Sequence, residues 1–228
     1  MKISVMQPYF FPYLGYYQMV EKVDEFVFLD DVNYFKKGYI NRNAIALNGL
    51  PHNFTISINK SSQNKKILEL FYTDNLSKFF KLIDSAYKKA KYYESGKALI
   101  EKAFEEGKGN VALTNASSIK LVFEYIGLKK EFSCSSSLLL GDEFKGQSRI
   151  LETCKQKKAQ VYINAMGGKA LYDSESFSRE KVDLNFFQPQ IEHYEQLEHG
   201  FLENLSMIDC LMNLSPNEIK ELIMLGGI

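Results

Sequence analysis

The chain has 228 residues, 45% of them hydrophobic and 25% charged, which is enough to bury a full core. Its 28 basic and 28 acidic side chains cancel to a formal net charge of zero, which excludes a nucleic acid or an anionic membrane held by bulk electrostatics. Cys134, Cys154 and Cys210 form no CxxC or Cys/His cluster, no basic leader precedes an apolar run, and no apolar run reaches spanning length. A cytoplasmic, non-spanning chain without a structural disulfide or zinc site is therefore expected.

Lys2–Met6 reads as a short apolar strand, and after a loop punctuated by Pro8 and Pro12 a helix is predicted over about Leu14–Lys22. Glu25–Leu29 is a second apolar run of strand length, ending at Asp30-Asp31. Strand, helix and strand in so short a span form a βαβ unit with parallel strands and a right-handed crossover. Arg42–Leu47, Asn48-Gly49 and Asn53–Ile58 read as an antiparallel hairpin, because Asn-Gly favours the turn that matches strand twist. In its second arm Phe54, Ile56 and Ile58 alternate with Thr55 and Ser57, and His52 falls in register with the buried set.

Helical periodicity marks Asn75–Lys91, Tyr93–Glu106 and Thr114–Ile126, with Gly107–Asn110 separating the last two. Beyond Gly127 the rhythm returns to α/β, with strands at Glu131–Cys134, Gln160–Asn164 and Val182–Phe187 and a helix at Gly146–Lys157. Two helices close the chain, Leu205–Leu214 and Pro216–Leu225, the second entered through the cap Ser215. Together these predict one α/β domain over residues 1–228. It is a three-layer, Rossmann-like parallel sheet of about five strands, with a hairpin and helical insert over about 39–128.

Ligands of open parallel sheets bind beyond the carboxyl ends of the strands. The sequence offers four such ends: Gln7–Tyr16, Asp30–Arg42, Ser135–Arg149 and Asn164–Gly168. In the first, Gln7 stands at the strand end and Gly15 near a helix start, where unpaired N–H groups attract anions and a glycine admits close approach. Phe10 and Phe11 read as caps on the core, whereas Gln7, Tyr13, Gly15 and Tyr16 are candidates to touch a ligand. The second end gathers Asp30, Asp31, Lys36, Lys37, Asn41, Arg42 and Asn43, a set able to take an amine and a phosphate together. Lys36 and Lys37 read there as solvated charges; Asp30, which ends an apolar strand, and Arg42, one of only three arginines, read as functional.

At the third end Ser136 and Arg149 are candidates to wrap a phosphate, and at the fourth Asn164, Gly167 and Gly168 follow a strand without forming GxGxxG, so no NAD site is supported. His52, His193 and His199 are scattered, so neither a zinc motif nor a Ser/His/Asp order can be read, and no metal is indicated.

The segment Met6-Gln7-Pro8-Tyr9-Phe10-Phe11-Pro12-Tyr13-Leu14-Gly15-Tyr16, then Asp30-Asp31-Val32 and Asn41-Arg42-Asn43, resembles the WbqC-like family. So do Arg149-Ile150-Leu151, Tyr162-Ile163-Asn164, Gly167-Gly168, Tyr194-Glu195-Gln196 and Leu205–Asp209, and the likeness covers nearly the whole chain. It implies a place in O-antigen or other surface-polysaccharide biosynthesis and transfer of an amino acid, glycine in particular, onto an amino sugar. A looser similarity joins Gln7-Pro8 and Tyr13-Leu14-Gly15-Tyr16 to the strand-loop-helix of nucleotidyltransferases and class I synthetases, where HxGH holds ATP. Both histidine positions are tyrosines here, so the backbone part of that ATP site is retained and the histidine part is not.

The resemblance and the second strand end together imply an acyltransferase acting on a nucleotide-linked amino sugar, with Asp30 or Asp31 accepting the amine proton. Arg42 and the helix start near Gly15 hold phosphates, and Gln7 and Asn41 orient polar groups. A non-catalytic nucleotide-sugar-binding protein and a nucleotidyltransferase remain open beside it, as do the acyl donor, the use of ATP, and a monomer or homodimer.

Overall fold

A computed structural model of the chain describes residues 1–197 and 200–227. Five strands, β1 (Lys2–Met6), β2 (Glu25–Phe28), β5 (Glu131–Cys134), β6 (Val161–Ala165) and β7 (Asp183–Phe187), form one sheet in the order β5-β2-β1-β6-β7. Every pairing in it is parallel, with Val5 opposite Val27 and Ile3 opposite both Glu25 and Tyr162 in fixing the register at the central strand. The strands read as near-continuous apolar runs because both faces are covered. Phe26 and Phe28 enter one core, while Ile3, Val5 and Val27 enter the other.

On the first face lie α1 (Leu14–Glu21) and α4 (Val111–Tyr125), joined by α7 (Met207–Asn213) and α8 (Pro216–Met224). On the second face, Ile150 and Cys154 of α5 (Gln147–Gln156) and Phe177 of α6 (Ser174–Arg179) pack on Tyr162 and Val182. The result is a three-layer, doubly wound, Rossmann-like architecture, and its topological switch point lies between β1 and β6.

A separate hairpin pairs β3 (Arg42–Leu47) with β4 (Leu50–Thr55). Asn48 and Gly49 both adopt positive φ, 54° and 71°, so the turn contains just these two residues and Leu50 pairs directly with Leu47. The second arm thus begins and ends earlier than the expected Asn53–Ile58. Ile56 keeps its buried side chain but leaves the ladder, its N–H donating to the Asn41 carbonyl. His52 is exposed rather than half-buried, because the core covers its partner Ile45 on β3 and reaches the outer strand just at Phe54.

The insert continues through α2 (Ser77–Tyr87) and α3 (Tyr93–Gly107) into α4, which starts three residues before the expected Thr114 because Asn110 caps it, accepting from the Leu113 N–H. The helix α6 is absent from the expected elements. Six residues are too few to display a helical period, although its cap, Asp173 accepting from the Ser176 N–H, is a standard start signal. Among the described residues no helix is long and apolar enough to cross a membrane.

Candidate functional site

At the switch point a cavity of about 210 Å³ opens beyond the ends of β1, β6 and β7. Its walls are Tyr9, Tyr13 and Tyr16 from the first loop, Met166 and Gly167 after β6, and Phe187 to Pro189 after β7. The Tyr9 and Tyr16 rings lie 5.8 Å apart. Burial raises the phenols of Tyr9 and Tyr13 above their ordinary 10.0, and that of Tyr16 well above it. All three are therefore neutral hydroxyls at physiological pH, suited to donating hydrogen bonds and stacking but not to acting as bases.

The first loop is held by side chains from three distant elements. Asn115 of α4 donates to the Pro8 carbonyl at 2.9 Å, and Ser118 accepts from the Phe11 N–H at 3.1 Å. Asn43 of β3 donates to the Phe10 and Phe11 carbonyls at 3.3 and 2.7 Å, and Ser206, which caps α7, donates to the Phe11 carbonyl at 2.7 Å. These bonds hold Phe11, fully buried, at φ 39°, a conformation that costs a non-glycine residue about 1–3 kcal/mol. Phe10 and Phe11 are core residues, as expected. Tyr16 Oη donates to the Gln7 carbonyl at 2.9 Å, leaving the half-buried Gln7 side-chain amide without a hydrogen bond among the described residues.

Gly15 has a packing reason. A Cβ built there would lie 2.5 Å from Tyr13 Cε2 and 2.8 Å from Pro189 Cβ, so the tyrosine ring folds over the start of α1. The close approach expected of a ligand at Gly15 is made by Tyr13. Gly167 is the glycine with open space around it, whereas Gly168 is covered by the Asn164 amide, 2.5 Å from the same construction. Asn164 itself accepts from the Ala165 N–H and is buried beside the crevice.

One sheet position further out, the ends of β2 and β5 bring Asp30, Asp31, Ser136 and Arg149 together. Ser136 donates to Asp30 through its N–H at 2.9 Å and its hydroxyl at 2.7 Å, one to each carboxylate oxygen. The Ser135 hydroxyl sits between the two aspartates, and Asp31 receives Arg149 Nη2 on its other oxygen. Arg149 is nearly inaccessible, and its Nη1 is spent on the Gly141 and Phe144 carbonyls, both at 3.2 Å. Every carboxylate oxygen in this knot has an internal donor. Cys134 at its edge has its thiol pushed up to about 11 by burial and the Asp30 charge, which keeps it protonated and unreactive at neutral pH.

The third group lies at the base of the hairpin. Asn41 is buried, accepting from Tyr34 Oη at 2.9 Å and donating to the Ile56 carbonyl at 2.7 Å, which pins the loop 34–41. Arg42 is exposed. Burial raises the Tyr34 phenol above 10.0, and the neighbouring Arg42 charge pulls it back. Arg42 and Asn43 line a cleft of about 290 Å³ together with Lys37, Tyr39, Asn53 and Asn204.

Sequence reasoning thus named residues in all three groups but missed several that complete them. Gln188 and Pro189 follow a recognisable strand, whose end is a fifth site-forming end beside the four considered. Ser206 carried a signal as the serine cap of α7 within Leu205–Asp209, whereas Asn115 and Ser118 in the middle of α4 had none. Among the described residues no group of three or more His, Cys, Asp or Glu is placed to hold a metal, and His199 lies outside those residues.

The fold places the chain among open, doubly wound α/β proteins, with a cavity at the switch point where the ligands of such sheets ordinarily bind. Within that class, the chain belongs to the WbqC-like protein family, which it matches over residues 7–221. It is also similar to Rv1507c, an uncharacterized protein of Mycobacterium tuberculosis, with 26% identity over 219 residues spanning 93% of this chain and 94% of that one. No solved structure matches the chain.

Proposed function

We propose that this protein binds a nucleotide-linked amino sugar at the switch point and transfers an amino acid such as glycine onto the sugar's amine, in the biosynthesis of O-antigen or another surface polysaccharide. The observation that carries it is the tyrosine-walled cavity with a cleft bordered by Lys37 and Arg42 beyond the neighbouring Tyr9 and Tyr39 rings, which suits a ligand with a flat or sugar-like body and an anionic tail. The choice of aminoacyl transfer rests on the likeness of the first loop and the Asn41-Arg42-Asn43 segment to a family found among surface-polysaccharide genes.

In the step itself, the neutral amine attacks the acyl carbon, the amide C–N bond forms, the bond to the donor's leaving group breaks, and the amine proton leaves to solvent. The walls align amine and acyl group, a contribution that can reach about 7–11 kcal/mol when the geometry is right. An acyl donor activated beforehand fits better than adenylation in place, since Tyr13 covers the start of α1 and tyrosines stand at the two histidine positions of HxGH. Gln7, whose amide is unengaged, orients the donor carbonyl or the sugar.

A second reading is favoured by a specific observation. Both oxygens of Asp30 and of Asp31 are engaged internally and no other carboxylate among the described residues lines the crevice, which suits a nucleotide-sugar-binding protein acting through a partner. The test is mass spectrometry of the surface glycan from a deletion strain carrying wild-type or Arg42→Ala protein. Loss of an amide-linked acyl group on deletion, restored by wild type and weakly by the variant, supports transfer. A glycan of unchanged mass on deletion refutes it, and calorimetric binding of nucleotide-amino-sugar without turnover then selects the second reading.

A further inference from the structure

Resting on the nucleotide-sugar reading, we infer that the ligand's diphosphate sits in the cleft at the hairpin base, held by Lys37 and Arg42, and not at the start of α1 where a doubly wound sheet ordinarily holds phosphates.

The usual phosphate position is narrowed by side chains of the chain itself. Phosphates at a switch point approach the first turn of the helix after β1, and a glycine there ordinarily makes room. In this chain the room over Gly15 holds the Tyr13 ring and Pro189, the nearest atoms lying 2.5 and 2.8 Å from where a Cβ would stand. Leu14 and Gly15 are both buried, and Tyr13 contributes no side-chain cap. The face of α1 that would meet a phosphate offers no cation among the described residues, and Tyr13 and Pro189 take up the room directly over Gly15.

The hairpin cleft supplies what that position lacks. Its volume of about 290 Å³ is bordered by two cations, Lys37 and Arg42, and by the amides of Asn53 and Asn204. Neither cation is paired with a carboxylate among the described residues. Of the three arginines, Arg149 is consumed by Asp31 and backbone carbonyls and Arg179 pairs with Glu175 on its own helix, which leaves Arg42 with its guanidinium fork unspent. A guanidinium fork and an ammonium in one concavity match two linked phosphates, the first as a bidentate donor and the second as a point charge.

The cleft is also fixed relative to the cavity. The Tyr9 ring walls the cavity, the Tyr39 ring walls the cleft, and their centroids are 6.0 Å apart. Asn43 lines the cleft while its amide holds the Phe10 and Phe11 carbonyls, so the base of the hairpin and the first loop move as one. Tyr39 is 65% exposed, an unusual position for a large ring unless something covers it. A nucleoside diphosphate sugar running over Tyr39 and Tyr9 places its diphosphate at Lys37 and Arg42 and its sugar in the tyrosine-walled cavity.

The test is calorimetry on the full chain with inorganic pyrophosphate, with ADP, GDP, CDP and UDP in turn, and with the matching nucleosides. Wild type is compared with Arg42→Gln, Lys37→Gln, the double variant and Arg42→Lys, all at exposed positions, with thermal melting to confirm folding. Arg42→Gln is expected to weaken diphosphate binding by about 10-fold to 100-fold, the value of lost charge-assisted hydrogen bonds. Arg42→Lys recovers part of it, binding of the preferred nucleoside is unchanged throughout, and wild-type affinity falls with salt. If wild type binds a nucleoside diphosphate and the double variant binds it equally well, the phosphate site is elsewhere and only this inference falls. If pyrophosphate binding is lost in the double variant but no nucleotide binds better than pyrophosphate, the cleft stands and the nucleotide-sugar reading falls. If no phosphate-bearing probe binds wild type, both fall.

Discussion

Replacing Asn115 by alanine tests whether the first loop is held as described. Asn115 is fully buried in α4; its Nδ2 donates to the Pro8 and Ile40 carbonyls at 2.9 and 2.7 Å, and its Oδ1 accepts from Tyr72 Oη at 2.7 Å. Truncation leaves the Pro8 carbonyl without a donor. The Ile40 carbonyl is less affected, since Tyr72 Oη is already 3.4 Å away and, freed from Asn115, can donate to it. One buried acceptor wholly orphaned and a second partly rescued, at about 1–3 kcal/mol for each full loss, gives a destabilisation of about 3 kcal/mol. For a chain of this length that lowers the melting temperature by roughly 6–12 °C. Differential scanning calorimetry of wild type and variant measures it, with urea unfolding as a second readout. Because Pro8 immediately precedes Tyr9, affinity for a ligand in the cavity drops as well, at temperatures where the variant is folded. A fall of less than about 2 °C would show that solvent or backbone satisfies the Pro8 carbonyl and that the loop does not depend on α4.

Gly15→Ala drives a methyl group into the Tyr13 ring and Pro189, an overpacking cost of about 1–3 kcal/mol that displaces the ring toward the cavity. Lower thermal stability together with weaker ligand binding is expected, and unchanged binding would mean the ring has another place to go. Asp209, fully buried at the start of α7, accepts from Tyr87 Oη at 2.7 Å, Tyr194 Oη at 2.9 Å and Gln196 Nε2 at 3.0 Å. Burial raises its carboxyl above the ordinary 3.8, and those donors oppose the rise. A folded-state value above the unfolded one gives a contribution present in full below about pH 3.8 and lost as pH climbs through the raised value. The stability deficit of Asp209→Asn relative to wild type should therefore shrink from pH 4 towards pH 7 in urea titrations. A deficit that grows over that range would show that the donors win and the carboxylate is the folded form.

Much of this architecture was legible because of how parallel sheets are buried. Strands covered on both faces are mostly apolar, so Lys2–Met6, Glu25–Phe28, Glu131–Cys134 and Asp183–Phe187 stand out as short runs rich in apolar or aromatic residues between polar turns. Hairpin register was less legible. The alternation marks Phe54 and Ile56 as buried and Ile58 as half-buried, but burial continues past the ladder, where Ile56 bonds to the Asn41 carbonyl instead of to β3. The order of strands in the sheet, and hence the switch point, cannot be read from any local pattern. It decides which loops meet, and it brought the ends of β6 and β7 to the first loop.

The candidate site shows why residue type at a strand end is an incomplete guide. Asp30 and Arg42 both stood out in the sequence, one as a carboxylate ending an apolar strand and one as a rare arginine. In space they differ in what is left of their hydrogen-bonding capacity. Asp30 spends both oxygens on Ser135 and Ser136, fastening the end of β2 to the end of β5, a job that any pair of adjacent parallel strands with polar tips has to solve. Arg42 spends none of its donors on another side chain among the described residues and faces a cleft. Gly15 and Gly167 divide in the same way, one filled by a tyrosine of its own chain and the other open. A group whose bonds are already made can position its neighbours, but only one with donors to spare can recognise something new. By that criterion the proposed recognition falls to Tyr9, Arg42 and Gly167, while Asp30, Asp31, Asn41 and Arg149, with their bonds made, belong to the frame.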